Sequence, residues 1–240
     1  MSSLTDFVLI NSKDRASFSN SSSDFTIELR DPLEGRYKIV SAIIPNTFYN
    51  VVAGQNDKIY FNDGTNKSAV IPAGNYSVNT LPGAIKTAMD AVSSIVFTVT
   101  INSITNKMTI TGDSAFSLNF GTFTSSSIAP LIGFAYTNTN SAVSHVGGNV
   151  VDLAYPRSVI VDINQTTNVQ SLNGLSYGSL WFPVETNGND VTFFKSEADY
   201  AMFITLQRCT RLQVRLRDDQ GNSLSLNGAD MQILLKKAEC

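Results

Sequence analysis

The chain has 240 residues, of which 42% are hydrophobic and only 15% charged, and its formal net charge is -3. This length suits one β-sandwich or barrel domain of roughly 200–250 residues, and a weakly acidic chain has no overall electrostatic attraction to nucleic acid. The sequence has no basic region followed by an apolar stretch, and no apolar run reaches the roughly 18 residues of a membrane-spanning helix. We therefore expect no secretion signal, no transmembrane segment and no specific nucleic-acid partner.

Two strands are predicted close to the N-terminus. Phe25, Ile27 and Leu29 alternate with polar residues, and a second apolar run covers 37–44. Alternation of this kind is typical of a strand with one buried face. The pair Asp31-Pro32 lies between the runs, and we expect it to end the first strand.

One segment has helical periodicity. Its apolar residues recur at helical spacing between Val78 and Val92, with Thr80 as a candidate cap and Pro82 in the first turn. The runs "FTVTI" at 97–101 and "KMTITG" at 107–112 follow, and they predict a β-hairpin. We expect one domain over residues 1–240, with helix and hairpin as an insert at about 72–135.

Strand patterns continue to the C-terminus in "SVIVDIN", "AMFITLQ", "RLQVRLR" and "MQILLKK". Between the predicted strands, 135–149 and 164–179 are long polar segments that we interpret as loops. Loops longer than about 12–15 residues usually carry function or lie at an interface. The predicted fold class is all-β, with one short helix.

No pattern of a catalytic, cofactor-binding or metal-binding site is present. His145 is the only histidine and is predicted to lie in a loop, without a G-x-S-x-G stretch or a set of zinc ligands. The acidic residues fall mostly in turns, where carboxylates accept backbone hydrogen bonds. Cys209, in an apolar run, is expected to be a buried thiol that forms no disulfide with Cys240. We predict a protein that is not an enzyme and needs no cofactor.

Six motifs stand out along the chain: Asn11-Ser12-Lys13-Asp14-Arg15, "SSDFTIEL" at 22–29, Ile44-Pro45-Asn46-Thr47, "IPAGNYSVNTLPGAI" at 71–85, Leu131-Ile132-Gly133-Phe134 and "LQVRLRDDQGNSLSLNGADMQILL" at 212–235. In their order and spacing these motifs resemble the penton, or minor capsid, proteins of virophages, polinton-like elements and large icosahedral DNA viruses. Residues 135–200 match least.

The resemblance implies a single jelly roll, in which two four-stranded antiparallel sheets pack face to face. It implies a virion protein of which five copies, a homopentamer, fill each icosahedral vertex. Major capsid proteins with a double jelly roll would surround the ring. Other minor capsid proteins or a vertex spike are further candidate partners.

A ring of five needs a heterologous contact between unlike sides of neighbouring subunits. The candidate interface residues are Phe7, Leu9, Lys13, Asp14, Arg15, Arg211, Arg215 and Arg217. The N-terminal apolar segment can either reach a neighbour or pack as an edge strand of its own subunit. The three C-terminal arginines share one face of a strand, where they can grip a partner's carboxylates or a phosphate backbone, or form a solvated surface.

Three other functions are compatible with the sequence. A carbohydrate-binding β-sandwich would use exposed aromatic side chains, for which Tyr177, Trp181 and Phe182 are candidates, although core packing explains a lone tryptophan more simply. A sandwich hydrolase would need two carboxylates about 5–10 Å apart, and no such pair stands out. A spike or receptor-binding protein shares the sandwich fold but is expected to be trimeric.

Overall fold

The computed structural model describes residues 7–19, 21–165, 168–170, 177–185, 190–196 and 202–238. The strands in chain order are β1 Phe7–Asn11, β2 Asp24–Pro45, β3 Lys58–Asn62, β4 Asn66–Val70, β5 Phe97–Ile101, β6 Met108–Leu118, β7 Ala142–Val146, β8 Ser158–Ile163, β9 Val169–Gln170, β10 Tyr177–Gly178, β11 Leu180–Pro183, β12 Val191–Lys195, β13 Phe203–Arg217 and β14 Gln232–Lys237. A 3₁₀ turn covers Ser12–Asp14, and helix α1 covers Leu81–Asp90. The predicted fold class is confirmed in that the described part of the chain is nearly all-β, with antiparallel sheets and one short helix.

The chain forms two compact units. The first comprises Met1–Phe48 and Pro156–Cys240, and the second comprises Tyr49–Tyr155. The second unit contains the predicted helix and hairpin and extends beyond the 72–135 segment at both ends. That the chain as a whole acts as one domain stays a prediction.

The first unit is built on a seven-stranded antiparallel sheet with the order β1-β14-β2-β13-β8-β11, in which β12 also pairs with β2. Strand β2 connects two groups of strands, because it pairs with β13 from Asp24 to Lys38 and with β14 and β12 in its C-terminal half. Apolar side chains on one face of these strands, such as Phe25, Ile39, Val161 and Val214, are at most 2% exposed. Full burial of each such side chain contributes about 1.5–3 kcal/mol.

The predicted strand break at Asp31-Pro32 is wrong. Strand β2 is continuous over 22 residues and passes through Pro32. Its partner β13 has register shifts between Leu206 and Cys209 and between Cys209 and Arg211, so the pairing is irregular beside the proline. A proline, which has no N–H to donate, is tolerated at such a bulge.

The same irregularity joins the two strands predicted at 201–207 and 211–217 into the single strand β13. Arg208 adopts a φ of +40° at the junction, which places one residue in the left-handed region without ending the strand. Cys209 lies in this bulge and is half-buried rather than buried. Cys240 lies outside the described residues.

The second unit contains a five-stranded sheet with the order β4-β3-β6-β5, in which β7 also pairs with β6. Helix α1 buries Leu81, Ile85 and Met89, which confirms the helical spacing found in the sequence. Thr80 is the N-cap residue but makes no side-chain capping bond. Its hydroxyl instead accepts a hydrogen bond from the backbone N–H of Ser77, at 2.9 Å.

Aromatic rings form the centre of the second unit. Phe61, Phe97 and Phe116 make successive edge-to-face contacts with centroid separations of 5.4 and 5.1 Å. His145 continues this series at 4.5 Å from Phe116 and is 7% exposed. The predictions of a plain loop at 135–149 and of a loop position for His145 are therefore wrong, because β7 occupies Ala142–Val146 and pairs with β6.

The segment 164–179 is not a simple loop either. The short strands β9 and β10 pair with each other within it. The rest of this segment includes 166–167 and 171–176, which lie outside the described residues.

Candidate interaction surface

Strand β1 is an edge strand of its own subunit. It pairs with β14 over its whole length, with Leu9 directly opposite Leu234. Of the two alternatives for the N-terminal segment, Phe7–Asn11 follows the second, because it packs as an edge strand of its own subunit. Alternation buries Ile10, while Phe7 and Leu9 point away from the core and are 49% and 56% exposed.

Six apolar side chains face outward on β1, β14, β2 and β12, with the polar Ser41 and Gln232 among them. The register places Phe193 of β12 opposite Ile43 of β2, and Val191 opposite Pro45. We call this surface the apolar face, and its members are Phe7, Leu9, Ile43, Val191, Phe193 and Leu234. The first five are between 37% and 60% exposed. Exposed apolar side chains that adjoin across several strands often mark a site of contact with another molecule.

Three lysines lie toward one end of the apolar face. Lys236 lies with its ammonium group 5.7 Å from the centroid of the Phe7 ring, close enough for a cation–π contact. Lys38 lies directly opposite Lys236, and Lys195 lies opposite Ser41. Two like charges placed opposite each other destabilise a sheet, so a nearby negative charge would be favourable here.

The Asn11–Arg15 motif forms a tight turn after β1. The side chain of Asn11 accepts a hydrogen bond from the backbone N–H of Lys13, and Arg15 donates to the carbonyl oxygen of Ser12 at 2.8 Å. Arg15 also pairs with Asp230 at 3.3 Å, and the Ser12 hydroxyl donates to the same carboxylate at 2.7 Å. The motif therefore fastens the end of β1 to the chain just before β14.

Lys13 and Asp14, by contrast, are exposed on this turn. Their place in an interface stays a prediction.

The predicted arginine face exists, and Arg211 and Arg215 on it pair with acids of the same chain. Arg211 donates to Glu28 of β2 at 2.9 Å, and Arg215 lies 3.5 Å from Asp24 on the same strand. Arg217 approaches the backbone carbonyl of Gly221 at 3.5 Å. Because β2 supplies carboxylates opposite the arginines, this face is a ladder of ion pairs within the subunit.

One member of this ladder is deeply buried. Asp162 of β8 is 2% exposed and lies opposite Arg215, and its Oδ1 has no hydrogen-bond partner among the residues that the structure describes. Burial raises the pKa of this carboxyl, against the opposing effects of a backbone hydrogen bond from Gln165 and of the charges of Arg215 and Arg217. The effect of burial is therefore the larger one.

In the described part of the chain, no group of three or more potential ligands could hold a metal ion. A polar cleft of about 430 Å³ is lined by Arg36, Asn168, Met202, Phe203 and Thr205. Its arginine already stacks on the Phe203 ring at 3.9 Å, so the cleft presents no free set of catalytic groups. Within the described ranges, no helix is both long and apolar enough to cross a membrane.

The aromatic residues proposed for carbohydrate binding differ in their exposure. Trp181 is 43% exposed, so core packing does not explain it, whereas Phe182 is buried at 4%. Adjacent residues of a strand face opposite sides, and β11 contains both. The side chain of Tyr177 lies outside the described residues.

Sequence reasoning found Phe7 and Leu9 but missed Ile43, Phe193 and Asp162. Two adjacent apolar residues in one strand could have indicated Ile43 and Phe193, because one residue of such a pair must face outward. Ile43-Ile44 and Phe193-Phe194 are pairs of this kind. Asp162 gave no comparable signal, because its environment depends on the register between β8 and β13.

Comparisons with known proteins gave matches among solved structures. A scan against protein-family models and a search of curated proteins each found no match. Among solved structures, the chain is similar to the crystal structure of the SeMet-labeled mavirus penton protein, at 10% sequence identity and a TM-score of 0.45, over 97% of this chain and 99% of that chain.

Proposed function

We propose that this chain is a structural protein of an icosahedral virion, a penton subunit of which five copies close each fivefold vertex. The observation that carries the proposal is the apolar face, since it adjoins an edge strand and is exposed in the single subunit. The sequence motifs that resemble penton proteins, and the jelly-roll fold class that the resemblance implies, support it further.

The surface chemistry suits a protein that is packed between neighbours. Only 15% of the residues are charged, against an average of about 25%. A charge that becomes buried without a partner is costly at an interface. On the arginine face the charges of Arg211 and Arg215 are already matched within the subunit, so neighbours can cover them at lower cost.

A vertex subunit has further partners. Double jelly-roll major capsid proteins would surround the ring, and other minor capsid proteins or a spike could attach to it. The protein would then be found in virions, at the vertices of the capsid.

The test is the native mass of the purified protein, measured together with electron-microscopy class averages of the same particles. A ring of five subunits is the expected result. A trimer would contradict the penton proposal and favour a spike or receptor-binding protein. A monomer that is also absent from the vertices of purified virions would overturn the proposal.

A further inference from the structure

We propose that the apolar face, with its lysine rim, is the surface on which a second copy of this chain docks. This inference rests on the proposed function, because it names the contact through which the subunits would join. It concerns Phe7, Leu9, Ile43, Val191, Phe193 and Leu234, together with Lys38, Lys195 and Lys236.

The exposed apolar area of the face is comparable to the centre of a protein–protein interface. Five large apolar side chains that are 37–60% exposed present an apolar area of roughly 400 Å². A standard protein–protein interface buries about 800 Å² on each partner, of which the apolar centre is about half or somewhat more. The apolar face therefore matches the centre of one standard contact, with the lysines at its rim.

The edge strand β1 lacks the charged residues and prolines that usually protect an exposed strand edge. Monomeric proteins protect exposed strand edges with charges, prolines or very short strands. The opposite end of the sheet is protected in this way, since β11 has four residues and ends at Pro183. Strand β1, "FVLIN", carries neither a charge nor a proline. An edge of this kind is suited to being covered by another chain.

Charge identifies the occupant as a second copy. Three of the 17 basic residues lie at the rim of the face, which leaves 14 basic against 20 acidic residues on the rest of the chain. The described residues provide no ion pair for Lys38, Lys195 or Lys236. The remaining surface of a second copy is therefore the more acidic partner that a basic rim favours. Such a contact joins unlike surfaces, as closure of a ring requires.

The experiment compares two double variants with the wild-type chain. Leu9→Glu with Phe193→Glu places two negative charges in the face at positions that the fold leaves more than half exposed. The matched control, Ile104→Glu with Val146→Glu, makes the same changes at positions of the second unit that are 89% and 60% exposed. Native mass and sedimentation over a range of concentrations report association, and circular dichroism and urea unfolding report the fold. If the glutamates unfold the chain, Leu9→Ser with Phe193→Ser repeats the test without new charges.

The wild type and the control should associate equally, and the face variant should associate at least 100-fold more weakly, because centrally placed apolar side chains dominate an interface. A face variant that associates like the wild type would overturn the inference while leaving the ring of five in place. A wild type that stays monomeric at every concentration would also overturn it. A wild-type dimer that the face variant dissociates would support the docking surface and reject the ring of five.

Discussion

Asp162 of β8 lies directly opposite Arg215 of β13, and Asp162 is only 2% exposed, whereas the side chain of Arg215 is 30% exposed. On its other side Arg215 faces Asp24 of β2. Arg215 thus has an acidic residue opposite it on each of the two neighbouring strands. An ionised carboxylate in such a buried position has a high desolvation cost, and Arg215 offsets part of it.

The first prediction concerns Asp162 and pH. Its pKa is raised by burial, so the folded protein keeps this proton to a higher pH than the unfolded chain does. The stability that accompanies the protonated carboxyl is therefore present below the unfolded pKa of about 3.9 and is lost as the pH rises through the folded value. Asp162→Asn cannot ionise. Its free energy of unfolding should rise relative to that of the wild type between about pH 4 and pH 7, as measured by urea unfolding.

Asp31→Asn is the control for this series, because Asp31 is an exposed residue of β2. It shows what the same change of side chain does at the surface. If the difference between the wild type and Asp162→Asn does not vary with pH, the buried carboxyl does not take up a proton in this range.

The second prediction compares two arginines of one strand. Arg215→Ala removes one of the two arginine charges that act on the buried Asp162 and should lower the free energy of unfolding by about 2 kcal/mol or more. Arg211→Ala breaks an ion pair with Glu28 in which both side chains are more than half exposed, and it should cost less than about 1 kcal/mol. Chemical denaturation of the two variants under the same conditions measures both values.

Adding Asp162→Asn to Arg215→Ala should restore part of the lost stability, because it removes the buried charge. Equal losses in the two arginine variants would show that burial of Asp162 does not decide the energetics of the ladder.

The third prediction concerns Gly133, which lies within a motif that the sequence analysis singled out. Its φ is +80°, and a Cβ atom built there would lie 2.3 Å from the backbone oxygen of Asn149. Gly133→Ala combines an unfavourable backbone conformation with a contact that only backbone movement can relieve. It should lower the free energy of unfolding by about 2 kcal/mol or more.

Gly148→Ala is the matched control, because nothing lies within 4 Å of a Cβ at that position. It should change the stability by no more than about 0.5 kcal/mol. A Gly133→Ala variant as stable as the control would mean that the chain relieves the contact easily.

The sequence predicts the parts of this fold that depend on local periodicity. Helix α1 was found from the spacing of Leu81, Ile85 and Met89, and β5 from the alternation in "FTVTI". The break predicted at Asp31-Pro32 was wrong, because an irregular pairing with β13 tolerates the proline. Whether a proline ends a strand depends on the partner strand, which the local sequence does not specify.

The sequence predicted only those residues of the candidate surface whose exposure follows from the alternation within a single strand. Phe7 and Leu9 belong to one alternating run, and their exposure follows from it. Ile43 and Phe193 join them only because β2 and β12 pair in a particular register, across about 150 residues of sequence. His145 was misplaced for a similar reason, since its short strand is recognisable only beside β6.

The last prediction separates the two contacts that hold His145. Its Nε2 donates to the backbone oxygen of Phe116 at 2.9 Å, and its ring meets the Phe116 ring edge to face at 4.5 Å. Loss of a donor to a buried carbonyl costs about 1–3 kcal/mol, whereas an aromatic pair contributes about 0.5–1.5 kcal/mol beyond the area it buries. The hydrogen bond should therefore contribute more to the free energy of unfolding than the ring contact does.

His145→Phe keeps a ring and loses the donor, and His145→Gln keeps a donor and loses the ring. In urea unfolding, the phenylalanine variant should be the less stable of the two. The opposite order would show that packing in the aromatic series, rather than the hydrogen bond to Phe116, fixes β7 against β6.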